Sequence, residues 1–277
     1  MSEMIFADQN PAMQANLPSV LITRADDFGA SPGTNDAILD CLDAGFVRNV
    51  GVMVPGPFLH HRFSELVGRQ DAFCPGLHAT LNSEWAGIRW GPVLAAEDVP
   101  SLVRKDGTFH NSTQLLHERG VVSDMLAEIS AQLDLIRRLG LRPRYLDTHM
   151  VFTWIPGIAE ALDVLCQREG LIFSDGPGFA PLPLKPEVTP GEFADALADF
   201  VSTHPGTRPV WVTHPAKRDD VSEKFFAEPG RPSASVAESR HHEYVKLSDA
   251  AGMSGFACAA HVQPSGYADP FPRISTG

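Results

Sequence analysis

Short apolar runs alternate with amphipathic segments along this 277-residue chain. Val20-Leu21-Ile22-Thr23 predicts a strand that ends in the turn Asp26-Asp27-Phe28-Gly29. Residues 35–44 predict a helix, with Ile38, Leu39 and Leu42 on one face and Gly45 as its stop. A strand follows over 47–54, closed by Pro55-Gly56-Pro57, and another over 76–81. The clearest helix spans 123–139. Leu126, Ile129, Leu133 and Ile136 recur there at spacings of three and four, Ser123 is the expected cap and Gly140 the stop. A strand over 145–149, a helix over 158–168 ending at Gly170, and strands at 171–173, 210–213 and 255–259 complete the pattern.

Strands that alternate with helices imply a largely parallel sheet with right-handed crossovers. About seven such units predict a closed or nearly closed barrel rather than an open sheet. The expected organisation is one domain over 1–277, with 1–17 as an N-terminal extension and 262–277 as a tail draped on the surface. Two connections, 83–120 and 176–190, are long, polar or Pro-rich, and loops of that length commonly form lids or substrate walls.

Composition narrows the function. The net charge of −12 repels a polyanion or an anionic membrane surface, so nucleic acid and membrane are not expected partners. A neutral or cationic substrate, or a site that holds a metal cation, suits the charge better. Cys41, Cys74, Cys166 and Cys258 are far apart in apolar contexts, which predicts buried free thiols and a reducing compartment. The N-terminal stretch has no basic n-region or long apolar run, and no segment approaches the length needed to span a bilayer, so a cytoplasmic location is expected. No GxGxxG or P-loop is present, and a homodimer is only the default expectation.

The chemistry sits where strand-like runs end. Asp26-Asp27, His78, Asp147-Thr148-His149 and His214 each stand at such an end, the place where an α/β barrel carries its catalytic groups. A divalent ion held by two imidazoles and one carboxylate keeps open positions for water and substrate. Of two adjacent aspartates, one can bind the ion while the other serves as a base; a histidine can give a proton to a leaving nitrogen. Asp147 lies two residues before His149 and can orient a ligand from behind. His60, His61, His241 and His242 read as solvated, and His110, His117, His204 and His261 receive no role.

At these positions the sequence resembles the YdjC-like, ChbG-type carbohydrate deacetylase family. Ala25-Asp26-Asp27-Phe28-Gly29 with Asn35 and Ala37-Ile38 is similar to its opening motif, and residues 76–82 (GLHATLN) to its second. Residues 99–103 and 106–109 resemble the loop that follows, and Glu128 and Gln132 match its central helix. Leu146-Asp147-Thr148-His149 resembles the third motif, and His214-Pro215 with Arg240 and Glu243 the closing segment. The resemblance implies a distorted (β/α) barrel with parallel strands, and a metal, magnesium or zinc, held by Asp27, His78 and His149, with Asp26 as general base and His214 as general acid. It implies hydrolysis of the acetamide of an N-acetylated amino sugar or short oligosaccharide, releasing acetate. The alternatives are hydrolysis of another amide or a phosphoester, or a non-catalytic saccharide-binding relative. The chain departs from the family after His149, where Met150-Val151-Phe152-Thr153-Trp154 replaces further histidines. Phe152, Trp154, Trp85 and Trp90 become candidates for stacking on a sugar face, and Arg240 a candidate substrate contact.

Overall fold

The computed structural model describes residues 20–185, 187–225, 236–260 and 262–269. The expected extension over 1–17 lies outside them, as do His261 and residues 270–277. The strands are β1 (Val20–Phe28), β2 (Asn49–Val52), β3 (Cys74–Ala79), β4 (Tyr145–Thr148), β5 (Ile172–Phe173), β6 (Phe179–Pro181), β7 (Arg208–Thr213) and β8 (Gln263–Ser265). They form one sheet in the order β5-β4-β3-β2-β1-β7-β6, with β8 against β1. Every strand pairing is parallel. The two ends of this order, β5 and β6, are not paired with each other, so the sheet curls into a half-barrel with one open side.

Strand alternation sorts β1 between two environments. Leu21 and Ala25 face the large core beneath the helices. Ile22 faces inward and meets Cys74, Tyr145, Val210 and Tyr267, which together floor the half-barrel. Above that floor, Arg24 and then Asp26 follow on the same inner face.

The helices that cover the sheet are α1 (Pro32–Ala44), α2 (Phe63–Gly68), α3 (Thr113–Arg119), α4 (Val122–Arg138), α5 (Ile158–Glu169), α6 (Pro190–Thr203), α7 (Val236–Ser248) and α8 (Ala250–Ala260). None of the described helices is long and apolar enough to cross a membrane. α1 begins earlier than its apolar stripe suggests. Ser31 accepts a hydrogen bond from Thr34 N, and Pro32 occupies the first helical turn, where its missing N–H is not needed. Ser123 does not cap α4 but lies inside its first turn, behind Val121.

Three expectations are corrected. Residues 255–259 are not a strand: they belong to α8, whose alanines and glycines lack the β-branched side chains that favour a sheet. The segment after 262 is not draped on the surface. β8 pairs with Val20–Ile22 below the level where β2 begins, and Asn49 joins the two. The Asn49 Nδ2 donates to Thr23 O and Ser265 O, while its Oδ1 accepts from Tyr267 N. Cys258 is exposed, whereas the other three cysteines are buried; all four are free thiols.

Gly76 has a steric role. A Cβ at this position would collide with the ring of Tyr145 from the neighbouring strand. The structure therefore predicts that Gly76→Ala destabilises the fold by about 1–3 kcal/mol through overpacking. Urea unfolding would show a lower midpoint at unchanged slope, whereas an unchanged midpoint would show that the Tyr145 ring moves aside freely.

Candidate metal centre

Consecutive strand residues normally point to opposite faces, yet Asp26 and Asp27 both reach one site. Asp27 adopts a left-handed backbone with φ of 72°, and the β1–β2 register shifts between Ala25 and Phe28. This bulge turns the second carboxylate to the same side as the first. Aspartate tolerates that conformation better than most residues. Asn35 fixes the turn: its Oδ1 accepts from Gly29 N, and its Nδ2 donates to Phe58 O and His61 O. Gly51 leaves room beside it, since a Cβ there would stand 2.6 Å from Asp26 Oδ1.

His78 on β3 and Asp147 on β4 are register partners, and His149 follows directly after β4. Asp27 Oδ1 lies 3.3 Å from His78 Nε2 and 3.2 Å from His149 Nδ1, and those two nitrogens are 3.2 Å apart. All three residues are buried, and Asp27 Oδ1 meets hydrogen-bond geometry with neither imidazole. Ligands about 2.0–2.2 Å from one ion are separated by roughly 3.0–3.5 Å, so this oxygen and these nitrogens fit a divalent cation. The cluster can hold such an ion.

Each of the three side chains is oriented from behind. His78 Nδ1 bonds Asp147 Oδ2 at 2.7 Å. His149 Nε2 faces both oxygens of Glu84 at 3.0 and 3.1 Å, and Asn82 donates to Glu84. Arg240 on α7 pairs with Asp27 Oδ2 at 2.7 Å. Arg24 lies below. Its guanidinium contacts Asp26 at 2.9 Å and Asp147 at 3.1 Å, and donates to Ser174 and Tyr267. The Asp26 Oδ1 has no hydrogen-bond partner.

These contacts set the protonation states. Burial raises the Asp26 carboxyl above the usual range, against the pull of Arg24 and His78. Burial would raise Asp27 too, but Arg240 and the two facing imidazoles hold it well below that range. Burial disfavours charge on His149, yet Glu84 and Asp27 lift it to about 9; the charges of Asp147 and Asp26 lift His78 well above its ordinary value. His214, after β7, has its backbone N–H bound to Glu243 of α7. Burial pushes its imidazole down to about 4, so the ring is neutral at rest.

Of the residues singled out in the sequence, Asp26, Asp27, His78, His149, His214, Trp85 and Arg240 line a single cavity. Asp147 lies beneath it against His78. Trp85 stacks on Phe225, and Arg240 lies over both rings. Phe152 and Trp90 do not serve as cavity walls: both are buried in the core. Trp154 is exposed but turns to His117 instead of the cavity. Glu84, Arg24 and Ser174 were not singled out beforehand. Arg24 could have been found, since it shares the inner face of β1 with Asp26; Glu84 sits in an irregular loop without periodicity.

A family model described as YdjC-like protein matches residues 20–253. The chain belongs to the YdjC-like family. It is 32% identical over 155 residues to a carbohydrate deacetylase of Halalkalibacterium halodurans, covering 54% of this chain and 61% of the relative. It is 31% identical over 154 residues to a carbohydrate deacetylase of Geobacillus stearothermophilus, covering 55% and 58%. The match thus spans about three fifths of each of these curated relatives. A crystal structure of a candidate cellobiose-phosphate cleavage protein from Enterococcus faecalis V583 superposes with a TM-score of 0.74, covering 90% of this chain and 98% of that one at 19% identity. That likeness establishes the shared fold.

The raised imidazoles give a test of the cation site. Below pH 9 a proton competes for His149, so apparent affinity for zinc is expected to rise with pH up to about 9. Binding at pH 7 should release about two protons, one from each imidazole. Calorimetry in buffers of different ionisation enthalpy measures this number; zinc binding without proton release would place the ion elsewhere.

Proposed function

We propose that this YdjC-like protein is a metal-dependent hydrolase that removes the acetyl group from an N-acetylated amino sugar or short oligosaccharide. The observation that carries the proposal is the division of the Asp26-Asp27 pair: Asp27 joins His78 and His149 in a cation-shaped triad, while Asp26 keeps a free buried oxygen beside it. A structural ion needs no second carboxylate of this kind. The carbohydrate deacetylases among its relatives supply the substrate class.

When bound, a magnesium or zinc ion would polarise the acetamide carbonyl and acidify a water molecule. The remaining work belongs to the side chains. Arg24 fixes Asp26 through Oδ2, which leaves Oδ1 to accept the proton of the attacking water. Burial makes this carboxylate a stronger base than an exposed one. His214 starts neutral. As negative charge develops on the substrate, His214 takes up the proton that Asp26 has drawn from the water, and it then gives that proton to the departing amine. Arg240 holds Asp27 ionised for the cation, and with Trp85 it forms the wall beside the sugar. A reducing cytoplasm is the compartment that suits four free thiols.

Asp26→Asn is expected to keep zinc affinity within about threefold while lowering acetate release by about 10²–10⁴. Acetate release from N-acetylglucosamine oligomers, read beside zinc binding on the same protein, separates the two effects. Near-normal turnover in that variant would remove Asp26 from the base role. Glu84→Gln should do the reverse and weaken zinc binding by about 10–100-fold, because the hydrogen bond that orients His149 loses its charge.

A further inference from the structure

The cavity at this site measures about 830 Å³ and does not end at the carboxylates. Its lining continues down the inner face of β7 to Val212 and Val210, which lie level with Arg24 and Ile22 of β1. Ile22 precedes Asp26 by four residues, so its partner Val210 lies about 13 Å below the level of Asp26 along the strand. The cause is the open side of the sheet. β5 and β6 are short and not paired with each other, so part of the interior that a closed barrel fills with side chains remains a slot here.

The two walls of the slot differ. Arg24, Ser174 and Asp175 line one. Phe179, Ala180 and Pro181 of β6 with Val210 and Val212 of β7 line the other, and these five side chains offer no hydrogen-bond donor or acceptor. A sugar placed there could pair hydroxyls only with Arg24, Ser174 and Asp175 and would bury the rest against the apolar wall. An alkyl chain has no such requirement and gains from every methylene removed from water.

We infer that the slot is an acyl channel, so that the protein removes N-acyl groups longer than acetyl from amino sugars. This inference rests on the amide-hydrolase reading above. With the scissile carbonyl at Asp27, His78 and His149, the sugar occupies the wide mouth and the acyl chain runs down along Val212 and Val210. Water adds to the carbonyl carbon and the C–N bond breaks. The acid leaves as a carboxylate, and the sugar nitrogen keeps the electron pair and gains the proton.

The test is an N-acyl glucosamine series, acetyl, butyryl, hexanoyl and octanoyl, on the zinc-loaded protein, with release and direct binding measured in parallel. Affinity is expected to rise at least about tenfold from acetyl to hexanoyl. kcat/KM for hexanoyl should equal or exceed that for acetyl. Val212→Phe narrows the slot and should reverse the hexanoyl-to-acetyl ratio by tenfold or more. Pro181→Phe, at an exposed position whose register partner is Val210, does the same in a variant that keeps the core intact. A hundredfold loss of kcat/KM from acetyl to butyryl, or binding that does not depend on chain length, overturns the channel. If no acyl sugar is turned over, the hydrolase reading fails; the binding series still decides the channel, which stands only if hexanoyl binds more tightly and Val212→Phe removes that preference.

Discussion

Three fully buried aspartates meet at the open end of this half-barrel, and the surrounding structure exists in large part to keep them there. Isolated carboxylates in such surroundings would take up protons. Instead Arg24 bridges Asp26 and Asp147 from below, Arg240 pairs with Asp27 from above, and His78 and His149 stand between. A buried ion network of this kind contributes little net stability, because desolvation offsets most of the attraction. Its consequence is geometric: each carboxylate is held in one place. Asp27 is held ionised beside the imidazoles, and Asp26 is left with a free oxygen.

The same constraint explains the unusual backbone around the site. Two adjacent aspartates can face one cavity only if the strand breaks its alternation, which the left-handed Asp27 achieves. Met150 and Val151 also have positive φ, and a β-branched residue rarely does. Both line the cavity just beyond His149. Strain of this kind persists where the neighbouring structure over-determines it, here through the His149 N–H to Ala79 O bond and the Asp175 carboxylate that binds Thr148. The closely packed Gly51 and Gly76 belong to the same design, since side chains at either would displace Asp26 or Tyr145.

The long connection over 83–120, which looked irregular in the sequence, is a built wall. It contains a short 3₁₀ turn at Pro100–Leu102, helix α3 and a bridge between Val103 and Phe109. Glu128 of α4 accepts from Val93 N and Leu94 N, and Gln132 bonds both Thr80 and Glu128. The loop is therefore tied to the strand that carries His78. This tie gives Glu84 a fixed position from which to reach His149, and it accounts for the burial of Trp90.

The sequence by itself determined the alternation of strands and helices, the parallel sheet, and the strand-end positions of Asp26, Asp27, His78, His149 and His214. These are local properties. Hydrophobic periodicity and turn residues report where a strand stops, and metal-type ligands at several such stops report a shared site. Only the tertiary structure decided which atoms face one another. Nothing in the spacing says that Asp147 reaches His78 on the next strand, that Glu84 supports His149, or that Arg24 links two carboxylates. Such contacts depend on strand order and register, which bring residues together across up to 243 positions of chain. Tertiary packing also overrode local appearance where the aromatics and the C-terminus were concerned. Phe152 and Trp90 went into the core because large apolar rings gain most from complete burial. The segment after α8 became a strand because the lower edge of β1 was open and Asn49 supplied the partners to close it.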